Sequence, residues 1–113
     1  MELYNEELYR EILMDAGIHD VVSGKDSELK TTILKDVAKL GCVWSNRVTG
    51  KRRSKKKELR REATAYIERN LNDYYKDDEG QPVGFVQAWV ISWIISYIIK
   101  WVVAKILENM IKD

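Results

Sequence analysis

The strongest chemical signal in this 113-residue sequence is a run of cations in residues 51–61, which reads KRRSKKKELRR. A cluster of this density attracts phosphate groups by Coulomb attraction and by release of counterions. The run, called the basic block below, predicts contact with a phosphate polyanion, either a nucleic acid or anionic lipid headgroups. Its eight basic side chains are Lys51, Arg52, Arg53, Lys55, Lys56, Lys57, Arg60 and Arg61.

Nothing around the basic block indicates readout of a base sequence. No aromatic residue is interleaved in it to stack on bases, and no zinc-finger, RNA-recognition or dinucleotide motif is present. The alternative interpretation is a solvated loop and helix N-terminus. Cations at that end oppose the helix dipole, which favours a bound anion instead.

The residues that could carry catalysis are few and isolated. His19 is the single histidine and Cys42 the single cysteine, which excludes the usual zinc sites and an intrachain disulfide. Asp77, Asp78 and Glu79 lack a calcium-binding loop around them. We therefore expect that the protein is not an enzyme and that it has no cofactor and no metal site. We expect Cys42 to be a small buried residue or a free thiol in a reducing compartment.

Charge and apolar residues are unevenly spread along the chain. The net charge of +1 divides into −3 in residues 1–50, +6 in residues 51–69 and −2 in residues 70–113. The 45% hydrophobic content is too high for a disordered chain, and the length suits one small domain. The N-terminus lacks a basic stretch followed by an apolar one, so we expect no secretory signal peptide.

Apolar spacing predicts an all-α fold, with three short-to-medium amphipathic helices followed by a long, nearly all-apolar C-terminal helix. We place the first three helices at about 2–15, 27–40 and 54–76, with Gly17 and Gly41 ending the first two. Residues 42–50 are expected to form a loop or a short strand. In terms of organisation, the prediction is a helical region at 1–76, a linker at 77–84 around Pro82, and the apolar helix at 85–113.

The C-terminal segment separates into rows of residues four apart, which form ridges on a helix. One row is aromatic and runs from Phe85 to Trp101. Two rows are aliphatic, one from Val86 to Met110 and one from Ile91 to Ile111, and the fourth row is small or polar. A bent pair of strands is the alternative, because β-branched and aromatic residues also suit sheets. The residues predicted to meet a membrane or another chain come from the aromatic and polar rows: Phe85, Trp89, Ser92, Trp93, Ser96, Tyr97, Lys100 and Trp101.

Three environments are compatible with so apolar a helix. Phe85 to Val103 is long enough to span a bilayer, with a mean hydropathy of roughly 1.6, near the usual threshold. The helix could instead pack into a homo-oligomer or a larger assembly, or form the core of a monomeric bundle. The monomeric bundle is disfavoured, because the narrow stripes of the other helices would leave Trp and Ile exposed.

The sequence thus favours a non-enzymatic structural or anchoring protein, such as a small virion or membrane-assembly component. It would bind phosphates through the basic block, and insert or oligomerise through residues 85–107. One alternative is a soluble, oligomeric nucleic-acid-binding accessory protein with the last helix as its assembly core. Another is a membrane-active pore or lytic protein in which Ser92, Ser96 and Lys100 line a polar path.

Overall fold

A computed structural model of the chain describes residues 4–48 and 56–111. Within these ranges the chain forms four α-helices and no strand, which confirms the all-α fold and removes the alternative of paired strands. The helices are α1 (Glu6–Ile18), α2 (Ser27–Arg47), α3 (Lys56–Arg69) and α4 (Phe85–Ile111), with a short 3-10 helix at Asn72–Tyr75.

The long apolar helix α4 is the central element, packed against α2, α3 and α1. Its 27 residues span about 40 Å at 1.5 Å per residue, close to the 44 Å length of the whole molecule. Most of both aliphatic rows lies in the core. The buried members are Ile94, Ile98, Val102 and Ile106 from one row, and Ile91, Ile95, Ile99, Val103 and Leu107 from the other.

The apolar stripes of the first three helices lie in the core, as their spacing predicts, and these helices pack against α4. Leu8 and Ile12 on α1 are buried, and so are further members of the stripes on α2 and α3. The Asn5 side chain accepts a hydrogen bond of 3.1 Å from the Leu8 backbone N–H and caps α1. The helix ends at Ile18, one residue after the predicted stop at Gly17.

The predicted end of α2 at Leu40 was wrong, because the helix continues through Gly41 to Arg47. Gly41 is fully inside the helix, facing Ile106 and Val102 of α4. A methyl group at this position would collide with the Ile106 side chain. The glycine therefore serves the close approach of two helices, and burial of Cys42, Val43 and Trp44 holds the next turn helical.

The third helix ends at Arg69, seven residues before the predicted end at Lys76. The Asn70 and Leu71 N–H groups bond to the carbonyls of Ile67 and Glu68, three residues back, which tightens the last turn. The Asn70 side-chain amide also donates to the Tyr66 carbonyl at 2.8 Å. After this turn, the Tyr74 hydroxyl donates a hydrogen bond to the Asp36 carboxylate of α2.

The connection before α4 is an ordered turn. The Asp77 carboxylate accepts hydrogen bonds of 2.9 Å from the backbone N–H groups of Glu79 and Gln81. Gly80 has φ +80°, a conformation that favours glycine. The Val83 N–H donates to the Tyr75 carbonyl at 3.0 Å. These bonds fix the point at which α4 begins.

Candidate functional site

The most unusual surface of the protein is a row of large apolar side chains on the N-terminal half of α4. We call it the aromatic face; it consists of Phe85, Val86, Trp89, Trp93 and Tyr97. Their exposed fractions are 88%, 72%, 67%, 60% and 46%. Taking about 200 Å² for a fully exposed aromatic side chain, the face presents on the order of 600 Å² to solvent. That is the upper end for the largest apolar patch on a monomer, a size often linked to binding.

Two contacts hold the aromatic face in place, one between two of its own rings and one between α4 and the neighbouring 3-10 helix. The Trp93 and Tyr97 rings stack with their planes 9° apart and their centroids 6.2 Å apart. The Tyr75 hydroxyl and the Ser92 hydroxyl lie 2.8 Å apart, which ties the 3-10 helix to α4 beside the face. The face is thus presented by a helix whose opposite side is anchored in the core.

The predicted polar row lies beside the aromatic face. Ser92, Ser96 and Lys100 are all exposed. Trp101 is only partly exposed, and the Lys105 ammonium lies 5.5 Å from the centre of its ring. Lys105 also forms an ion pair of 3.3 Å with Asp15 of α1, so these contacts limit where the indole can move.

Half of the basic block lies on α3 in the described part of the chain. Lys56, Lys57, Arg60 and Arg61 are exposed in its first two turns. The other four predicted residues, Lys51, Arg52, Arg53 and Lys55, lie outside the described residues.

A groove of about 620 Å³ lies between α3 and α4 and adjoins both features. Its α3 side carries Arg60, Thr64 and Glu68, which are four residues apart and so share one side of the helix. Its α4 side carries Tyr97, Lys100 and Trp101 among other residues. The sequence does not predict this groove, because the spacing of residues 60, 64 and 68 does not tell which helix α3 packs against.

The two candidate reactive residues are apart from these surfaces. His19 is exposed at the end of α1. Cys42 is a buried free thiol, and burial raises its pKa from 9.0 to about 12, so the thiolate is scarce at neutral pH. Among the residues the structure describes, no three His, Cys, Asp or Glu side chains converge in a metal-binding arrangement.

The fold and surfaces define a small helical domain with an apolar core helix and an exposed aromatic face. In the described part of the chain, one helix, Phe85–Met110, is long and apolar enough to cross a membrane, with a mean hydropathy of 1.8. Half of its most apolar window is buried inside the protein, and the core helix of a soluble protein meets the same criterion.

No protein-family model, curated protein or solved structure shows significant similarity to this chain.

Proposed function

We propose that this protein is a non-enzymatic anchoring protein that docks on the surface of an anionic membrane. The observation that supports the proposal most directly is the aromatic face, which stays exposed while most of the aliphatic residues of α4 are buried. Trp and Tyr favour the membrane interface, because their rings are apolar at one end and polar at the other. A helix lying in the interface buries one apolar side and keeps the other side away from the lipid.

Surface docking agrees better with the packing than a membrane-spanning α4 does. Nine aliphatic side chains of α4 are buried against the other helices. If α4 left for the bilayer centre, side chains of the other helices that share its core, such as Leu8, Ile33 and Ile67, would become exposed to water. Uncovering an aliphatic side chain of this size costs about 1.5–3 kcal/mol, so several such losses exceed the stability of a small domain.

The basic block supplies the electrostatic part of the proposed docking. Arg60 lines the same groove as Tyr97, so this cation of the basic block adjoins the aromatic face. Each Lys or Arg near an anionic membrane surface contributes about 1 kcal/mol. This adjacency favours anionic headgroups over a nucleic acid as the polyanion.

Vesicle co-sedimentation tests the proposal. The full-length protein should bind mixed phosphatidylcholine–phosphatidylglycerol vesicles and bind pure phosphatidylcholine vesicles at least about tenfold more weakly. The variant Trp89→Ser/Trp93→Ser should lose most of this binding. The matched control is Met14→Ser/Ile18→Ser, because these α1 side chains are 65% and 68% exposed but lie outside the aromatic face. Equal binding by the two variants would contradict the proposal.

Sedimentation of the same proteins without lipid tests self-association, in which a second copy of the protein covers the aromatic face. If a second copy covers it, the protein sediments as a defined oligomer without lipid, and Trp89→Ser/Trp93→Ser converts it to a monomer. That result, with no binding to either vesicle, overturns membrane docking in favour of the soluble oligomer.

A further inference from the structure

The groove between α3 and α4 combines an apolar wall with cations from two helices. Val103 and Ile99 contribute buried aliphatic surface, and Tyr97 and Trp101 contribute rings. Arg60 comes from α3 and Lys100 from α4, and both side chains are exposed. A volume of about 620 Å³ lies within the usual range of small-molecule sites, about 300–1,000 Å³.

The charges of the groove are available for a ligand. Within the described residues, neither Arg60 nor Lys100 forms an ion pair. Glu68 also lines the groove, but it lies eight residues from Arg60, about 12 Å along α3. The Glu68 carboxylate therefore belongs to a position about two helical turns from Arg60 along α3.

We propose that this groove binds one anionic amphiphile. Its phosphate or carboxylate head lies between the Arg60 guanidinium and the Lys100 ammonium, and its alkyl chain lies along Tyr97, Trp101 and Val103. Charge complementarity selects the head, because both cations are hydrogen-bond donors without acceptors. The apolar wall selects the chain. This site takes a single molecule and is separate from docking on a bilayer surface, so it goes beyond the proposed function.

The wall that receives the chain is partly prearranged. Lys105 lies over the Trp101 ring and is itself paired with Asp15 of α1, so the indole is held by a contact outside the groove. Trp93 stacks on Tyr97 from within the aromatic face. Rings ordered before binding lose less conformational entropy when the ligand arrives.

Calorimetric titration with short amphiphiles below their micelle concentrations tests the proposal. Octyl phosphate represents a phospholipid head, and octanoate represents a fatty-acid head. Two controls separate the parts of the ligand: 1-octanol has the alkyl chain without the charge, and inorganic phosphate has the charge without the chain. We expect one-to-one binding of at least one of the two anionic amphiphiles, and the stronger of the two identifies the head. Octanol should bind at least about tenfold more weakly, and inorganic phosphate should give no saturable heat.

Two variants locate the binding. Arg60→Gln/Lys100→Gln should weaken octyl phosphate or octanoate at least about tenfold and leave octanol unchanged. Ala104→Trp, at an exposed position lining the groove, should obstruct it and weaken binding of every amphiphile at least about tenfold. Unchanged affinity in both variants, with unchanged circular dichroism, would overturn the proposal. Stoichiometry well above one would do the same, because it indicates unspecific partition.

The outcomes separate this site from membrane docking. Phe85→Ser/Trp89→Ser, which leaves the stack of Trp93 on Tyr97 in place, should weaken vesicle binding and retain one-to-one binding of the amphiphile. Ala104→Trp should show the reverse. If a correctly folded Ala104→Trp protein loses both kinds of binding, the groove is not a separate site and the inference is wrong.

Discussion

Gly41 of α2 faces Ile106 of α4 so closely that a Cβ atom at position 41 would overlap the terminal methyl group of the Ile106 side chain. This approach places α2 directly on the aliphatic side of α4 and leaves the aromatic face on the outside. Gly41 therefore permits the packing in which the aliphatic residues of α4, and not its aromatic residues, meet α2.

Gly41→Ala should therefore destabilise the protein. The substitution gains about 1 kcal/mol of helix propensity, and overpacking against Ile106 costs about 1–3 kcal/mol, so the net loss lies between about 0 and 2 kcal/mol. Urea unfolding followed by circular dichroism measures it. Gly17→Ala is the matched control, since Gly17 also lies in a helix and a methyl group there meets nothing within 4 Å. Greater stability of Gly41→Ala than of Gly17→Ala would show that α2 and α4 are not this close.

The Cys42 thiol should make stability depend on alkaline pH. Burial raises its pKa from 9.0 to about 12, so the folded protein holds the proton more tightly than the unfolded chain. This contribution is complete below a pH of about 9 and is lost as the pH rises toward 12, by up to about 1.4 kcal/mol per pH unit. Urea unfolding at several pH values should show a steeper decline for the natural protein than for Cys42→Ala. Parallel declines would mean that the thiol is accessible to water.

The ion pair between Asp15 and Lys105 should contribute little to stability. The exposed fractions of the two side chains are 29% for Lys105 and 30% for Asp15, and solvent screens an ion pair that is this exposed. A double-mutant cycle with Asp15→Asn and Lys105→Gln should give a coupling energy of about 1 kcal/mol or less. Added salt should reduce it. A coupling several times larger would indicate that the pair is shielded from water.

Three lysines of the basic block should control the salt dependence of polyanion binding. For duplex DNA, the slope of log affinity against log salt becomes shallower by about 0.9 for each phosphate that the protein no longer neutralises. Lys55→Gln/Lys56→Gln/Lys57→Gln should therefore bind anionic vesicles or duplex DNA more weakly and with a flatter slope. The control Lys25→Gln/Lys35→Gln/Lys76→Gln removes the same charge elsewhere and should change the slope less. Equal slopes in both triple variants would remove the basic block as the binding surface.

Periodicity was sufficient to predict the helices but not where two of them end. The 3.6-residue spacing of Ile33, Val37, Leu59 and Ile67 correctly places these residues in the core. Gly41 resembles a helix stop in sequence, yet tertiary packing against α4 keeps it helical. Near Asn70 the spacing continues to Tyr74, but local hydrogen bonds turn the chain first.

The candidate site was predictable only in part. The sequence separates α4 into three apolar rows, but it does not tell which of them faces outward. The row that faces outward is determined by how side chains such as Ile98 and Val102 pack against the other helices, which is a property of the three-dimensional structure. The groove with Arg60 and Lys100 depends on the pairing of α3 with α4, for which no short-range signal exists.

The most direct test of membrane docking is the location of Trp89 and Trp93 when vesicles are present. Trp fluorescence of the natural protein is compared with that of Trp89→Phe/Trp93→Phe, and the difference isolates these two indoles from Trp44 and Trp101. With mixed phosphatidylcholine–phosphatidylglycerol vesicles, we predict that brominated lipids quench this difference signal and that aqueous iodide ceases to quench it. Continued quenching by iodide, with no effect of the brominated lipids, would contradict the account.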